Sequence, residues 1–187
     1  MFPKTLTFMV PLLLAAACAS PEQRFRIEPA PVEQTRRIAV GTLEVRDVSL
    51  PTYAEASEIL IEGADGALTP AENALWADDP RRAVSLALAD RLGRITGATV
   101  ASEPWPLEEP AQAAVHVRVS EMVARANGTF ELGGQYALSS FDRVIRERVQ
   151  RFAITVPLRA ASPAGIAAAT GTDVSQLADT IAADLAR

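Results

Sequence analysis

The stretch AAVHVRVSEMVARANGTFELGGQYALSS, residues 113–140, decides the fold. Val115, Val117 and Val119 alternate with His116, Arg118 and Ser120, the two-residue period of a strand that buries one face. Asn127 and Gly128 then give the strongest short hairpin signal in the chain. On the return, Phe130, Leu132, Tyr136 and Leu138 keep one parity, with Gly133 and Gly134 between them. A third strand follows in ERVQRFAITVPLR, residues 147–159, where Phe152, Ile154, Val156 and Leu158 share a face. Val149 is out of phase with them, which predicts a bulge between Val149 and Phe152. Three strands in succession make an antiparallel meander. Asn127, Gly128 and Thr129 also match a glycosylation acceptor, but the turn accounts for the same residues.

Working outward, DDPRRAVSLALADRLGRITG (78–97) is the clearest helix. Asp79 can cap it, Pro80 occupies its first position, and Gly97 can end it in a left-handed conformation. Val84, Leu88, Leu92 and Ile95 form its apolar stripe, with Arg81, Arg82, Asp90, Arg91 and Arg94 mostly off it. Ahead of it, RIAVGTLEVRDV (37–48) reads as a central strand with Gly41 at a kink, and SEILIEG (57–63) as a second strand. ADGALTPAENALW (64–76) holds a turn at Asp65 and Gly66 and then a weaker extended or irregular piece. After the helix, ATVAS (98–102) is another short strand, and EPWPLEEP (103–110) a loop set by Pro104, Pro106 and Pro110. The alanine-rich end carries a stripe of Val174, Leu177, Ile181 and Leu185. Its helix starts at Thr172 or earlier, near Pro163, depending on Gly165 and Gly171. The expectation is a single α+β domain: a mixed, mostly antiparallel sheet packed by two main helices.

The 187 residues carry a net charge of −5, and Lys4 is the only lysine. This mild acidity with scattered arginines gives no electrostatic footprint for nucleic acid. Chemistry is equally sparse. His116 is the sole histidine and sits in a strand, so no Ser/His/Asp or Cys/His set is expected, and Asp78 with Asp79 or Glu108 with Glu109 stand alone as acidic pairs. There is no phosphate loop, and we expect no catalytic residues, no cofactor and no metal site. Two features admit a binding role beside an ordinary one. Trp105 either folds over the core edge or anchors a partner. Arg143, Arg146, Arg148 and Arg151 are either a solvated sheet edge or a patch for acidic partners or lipid headgroups.

The first seventeen residues carry Lys4 and then LTFMVPLLLAAA, uncharged. Those twelve residues span about 18 Å as helix, short of the roughly 30 Å hydrocarbon core, and read as an export signal. Cys18, the only cysteine, rules out an internal disulfide or a CxxC site. Ala15, Ala16, Ala17 and Cys18 resemble a bacterial lipobox. That resemblance implies removal of residues 1–17, diacylglycerol on the Cys18 thiol and acylation of the freed amine. Ala19 and Ser20 are not the inner-membrane retention signal of that class, which implies the outer membrane, facing the periplasm. Residues 18–36 read as lipidated terminus and tether, and 37–187 as the domain. Arg24–Glu28 alternates as a short strand might. If it docks, the free tether reaches roughly 20 Å; if it is loose up to Arg36, about three times that.

With those elements in order, the mature chain resembles the ABC-type transport auxiliary lipoproteins, the PqiC-like family. RFRIEP (24–29) stands where that family has an aromatic strand, RIAVGTLEV with Leu50, Pro51 and Tyr53 where it has its first core strand and a Leu-Pro-x-Tyr. SEILIEG, Trp76, Arg151, Phe152, Pro157 and LADTIA (177–182) follow in its order. The chain departs from the family at Ala54, Glu55 and Ala56, where a Leu-Asp-Arg-like sequence is common, and near Glu62, where an arginine is. The resemblance implies a non-enzymatic, lipid-anchored auxiliary component with MCE-domain (mammalian-cell-entry) and inner-membrane transporter partners, moving lipid or other hydrophobic molecules. A homo-oligomer is compatible with it. The rival expectation is a lipid-carrier or lipopolysaccharide-assembly lipoprotein holding an acyl ligand in its own core. Intact-mass measurement of protein extracted from membranes should show residues 1–17 gone and Cys18 bearing acyl chains; an unmodified Cys18 would overturn the lipobox assignment.

Overall fold

The structure is a computed structural model describing residues 21–140 and 142–186. In chain order it has β1 (Gln23–Phe25), β2 (Thr42–Val45), a 3-10 turn (Thr52–Glu55), β3 (Glu58–Glu62), β4 (Leu68–Trp76), α1 (Pro80–Thr96), β5 (Thr99–Ser102), β6 (Ala113–Ala124), β7 (Thr129–Ser139), β8 (Arg148–Pro157) and α2 (Pro163–Leu185). The eight strands form one mixed sheet with an antiparallel β6–β7–β8 meander, so the α+β class holds. Cys18 lies outside the described residues.

The hairpin turn is a three-residue loop. Arg125 N donates to Thr129 O, Gly128 N donates to Arg125 O, and Gly128 alone in the turn has a positive φ, 83°. This is a type I turn closed by a left-handed glycine, with the Asn127 side chain accepting from Thr129 N. The β7–β8 register then runs unbroken from Thr129 opposite Pro157 to Leu138 opposite Arg148. The bulge expected between Val149 and Phe152 is therefore absent. Val149 breaks phase because it faces solvent, 63% exposed. The bulge lies instead in β6, where Val119 opposes Gly134 and Glu121 opposes Gly133, leaving Ser120 as the extra residue. It shifts the parity of β6, so that Val115, Val117 and Val119 are buried before it and Met122 and Ala124 after it. Gly134 is required there, since a Cβ would lie 2.3 Å from the Arg118 carbonyl oxygen.

The other side of β6 is shared. β2 pairs with Ala113–Val115 in parallel, and β3 meets it only at Ala124. The chain between β2 and β3 fills the interval. Ser49 N donates to Val117 O, Val119 N donates to Ser49 O, and Met122 N donates to the Tyr53 hydroxyl at 3.1 Å. The Leu50-Pro51-x-Tyr53 stretch thus completes the pairing of a buried strand that no single neighbour spans. The weak piece after Asp65 and Gly66 is the nine-residue β4, antiparallel to β3 and carrying β1 in parallel on its far side. β2 is shorter than its sequence pattern and begins just past Gly41.

α1 starts and ends as expected: Asp79 accepts from Arg82 N at 3.0 Å, and Gly97 has φ 69°. α2 begins at Pro163 with Ser162 as its cap, so Thr172 is interior and bonds back to Ala168 O. The two helices pack on each other, α1 also against β2 and β5, and α2 against β7 and β8. The Tyr136 hydroxyl donates to Asp184 at 2.5 Å in the core, pinning the end of α2 to β7.

Of the two arrangements open for Arg24–Glu28, the structure shows the docked one. β1 pairs with Ala74–Trp76, and the following strap crosses the helices. Ala30 N donates to Ser175 Oγ, and Arg91, 6% exposed, donates to Ala30 O and Pro31 O while forming a fork on Asp179. Arg91 is thus a buried clamp rather than one of the solvated charges of α1. The helix interior accepts a glycine at 171 because a Cβ would lie 2.0 Å from the Glu28 carbonyl oxygen. Tyr53→Phe, which strands the Met122 amide, should cost about 1–3 kcal/mol in urea denaturation with an unchanged m-value.

Candidate functional site

The sheet carries its helices on one face, and on the other lie two of the residues singled out in the sequence, Trp105 and His116. There the loop 103–110 leans toward β6 and bounds an open cleft of about 570 Å³ lined by Trp105, Leu107, Glu44, Ala114, His116 and Glu147, among others. Trp105 is half-buried, and its indole N–H donates to Glu109 O at 2.8 Å, so it is held by its own loop while facing the cleft. Leu107 beside it is 52% exposed. The base of the loop is fixed by charge: Arg46 reaches Glu103 at 2.7 Å and lies 3.1 Å from the buried Glu44. A backbone hydrogen bond from Asp47, then the Arg46 guanidinium, hold the Glu103 carboxyl below its ordinary range.

His116 is exposed, with Nε2 3.5 Å from Ser139 Oγ. That separation exceeds the reach of a nucleophile–base pair, and both Glu103 oxygens are engaged by Arg46 and Asp47 N. The two side chains are neighbours on the adjacent strands β6 and β7. Asp79 caps α1, and Asp78 pairs with Arg82. Glu108 and Glu109 are exposed in the loop. Among the described residues no group of three His, Cys, Asp or Glu side chains comes together to hold a metal ion, and no helix is long and apolar enough to cross a membrane.

The arginine cluster divides. Arg148 turns toward Asp184, 3.8 Å away, whereas Arg143, Arg146 and Arg151 make no ion pair among the described residues. The sequence reading missed Arg125, which ties β3, β6 and β7 together by bonding Glu62 at 2.6 Å, Glu131 at 2.8 Å and Glu121. Those hydrogen bonds, led by Glu62, raise its pKa further. Its partners lie on three strands, so only the register brings them together. Asp173 was missed as well. It is fully buried on α2 with no hydrogen-bond partner for either oxygen among the described residues, and desolvation pushes its pKa up to about 7.

Val115, Val117, Val119, Leu88, Leu92, Leu177 and Ile181 are at most 4% exposed and belong to one packed cluster. None of them lines the cleft beside Trp105.

With these features in place, comparison with known proteins gives the class. Residues 25–182 match the family described as ABC-type transport auxiliary lipoprotein component, and the chain belongs to that family. No curated protein matches it. Among solved structures it is similar to an uncharacterized protein at TM-score 0.67 and 18% identity, covering 81% of this chain and 95% of that one. It is also similar to a Xanthomonas campestris protein of family DUF330 at TM-score 0.60 and 16% identity, covering 84% and 88%. A PelC dodecamer from Paraburkholderia phytofirmans follows at TM-score 0.49 and 11% identity, covering 83% and 95%. The first two support the fold alone.

Asp173 generates a sign-definite expectation. Its folded pKa lies above the ordinary 3.8, so between about pH 4 and 7 the folded state binds more protons than the unfolded one, and this group's contribution to stability falls as pH rises. Asp173→Asn should remove a slope of about one kcal/mol per pH unit in that window, measured by urea titration at successive pH values.

Proposed function

We propose that this chain is a non-enzymatic, lipid-anchored docking component: Cys18 holds it on the periplasmic face of the outer membrane, and its helix-free face meets the periplasmic part of an ABC transport system with an MCE-domain component. The observation that carries this reading is the family match across residues 25–182. The filled space between sheet and helices supports docking over the rival acyl-carrier reading, which needs an internal cavity along Val115, Val117 and Val119. Trp105, facing the cleft, is a residue type suited to binding a partner.

A short leash supports the same picture. β1 begins at Gln23, five residues after Cys18. At about 3.5 Å per extended residue, lipid on Cys18 would keep the body within roughly 18 Å of the bilayer surface. Two or more acyl chains would make that attachment stable, where one gives only marginal binding. The transported molecule would then be of the lipid or hydrophobic class, handed over by partners rather than carried in this core.

Affinity purification of the full chain from gently solubilised membranes should recover an MCE-domain protein and inner-membrane transporter subunits. Recovery of none of them, under conditions that keep such assemblies intact, would overturn the docking reading.

A further inference from the structure

The described part of the sheet ends in three free strands of unequal length. β1 has three residues and β5 four, whereas β8 has ten and pairs only with β7. No other backbone group of the described chain bonds to the outer edge of β8. A long open edge is a template for another strand and is normally blunted. Here Val149 stands 63% exposed in the strand and Val144 is 42% exposed in the turn before it.

Away from this edge most arginines are paired, Arg36 and Arg37 in the strap being exceptions among the described residues. Arg24, Arg26, Arg46, Arg81, Arg82, Arg91, Arg94 and Arg125 all have carboxylate partners. Arg143, Arg146 and Arg151 have none among the described residues, and neither has Arg118, which lies in the same cross-strand row as Gln135 and Arg151. In a chain of net charge −5, Arg143, Arg146 and Arg151, with Arg159 just past the strand, put unpaired positive charge beside the long free edge, and Asp142 and Glu147 are the carboxylates in the turn before it.

We propose that the free edge of β8 takes, by strand addition, an extended acidic segment of a protein partner. Backbone hydrogen bonds would supply affinity, and Arg143, Arg146 and Arg151 with Val149 the selectivity. A second copy pairing β8 to β8 is disfavoured as occupant, because that would set this arginine group against its own image, and β1 and β5, with three and four residues, are short for a ten-residue edge. A membrane surface is disfavoured too. β8 is separated from β1, where the anchor-proximal chain enters, by β7, β6, β3 and β4, or about 24 Å at 4.8 Å per strand. Identifying the partner as the transporter's periplasmic component rests on the docking reading; the edge and its preference for acidic strands do not.

The test uses the full chain in detergent and a labelled ten-residue peptide alternating glutamate with valine. Saturable binding is expected, weakened at least tenfold by Arg146→Glu with Arg151→Glu, by lysine in place of the peptide's glutamates, or by N-methylation of alternate peptide amides. Amide exchange should slow in residues 148–157. Equal binding of the lysine peptide, indifference to N-methylation, absence of binding, or protection confined to other strands would overturn the proposal. The peptide variants keep the test decisive if the double substitution impairs folding. Two further outcomes separate the two readings. If Val149→Pro purifies with the transporter subunits as well as the unsubstituted chain does, docking stands and the β8 edge falls. If the unsubstituted chain recovers no transporter subunit yet binds the acidic peptide as expected, the edge stands and the assigned partner falls.

Discussion

β6 is the strand on which everything else is hung, and the constraint it imposes is backbone pairing. A buried strand must satisfy its amides and carbonyls on both sides. One side is met by β7 along its length, the other by three different pieces: β2 at the start, Ser49 and Tyr53 in the middle, β3 at the end. That division sets where β2 must stop and β3 begin. Near the bulge at Ser120, the Met122 amide finds the Tyr53 hydroxyl instead of a strand.

The helices answer the same sheet from one side. The stripes Val84, Leu88, Leu92, Ile95 and Val174, Leu177, Ile181, Leu185 are almost wholly buried. They leave the opposite face to Trp105, His116 and the row of Arg118, Gln135 and Arg151. Function is thereby separated from the core: the packed side carries stability, and the exposed side carries the residues suited to a partner. The chain belongs to the family described as ABC-type transport auxiliary lipoprotein component.

Periodicity made the meander, the caps of α1 and both helical stripes legible in the sequence, because each is a local pattern repeated over several turns or residues. What escaped it was set at long range. Val149 broke the strand phase for the simple reason that an edge strand can expose a valine, and the true bulge sat where an uninterrupted-looking polar residue, Ser120, hid it. β4 looked irregular because Pro70 and Asn73 are poor strand formers; Pro70 still pairs with Leu60, and Asn73, with φ 51°, falls in the register break against β3. Arg91 looked like surface charge; its burial follows from a strap arriving some sixty residues from earlier in the chain. The lipobox was read from local residues alone and concerns Cys18, which lies outside the described residues. The arginine patch was visible as composition, but which of its members are unpaired depends on where Asp184 falls.

The strap has a mechanical consequence. From Gln23 to Arg36 the chain is fastened at successive points to β4, α2 and α1: by parallel strand pairing, by Ser175, by the Arg91 fork and by Ile95 O. A pull applied upstream of Gln23 first loads β1 against β4, with the later fastenings in series behind it. They would have to yield in turn before the strap came away from the helices. Tension entering at Gln23 is therefore passed to the sheet and both helices before the strap can come free.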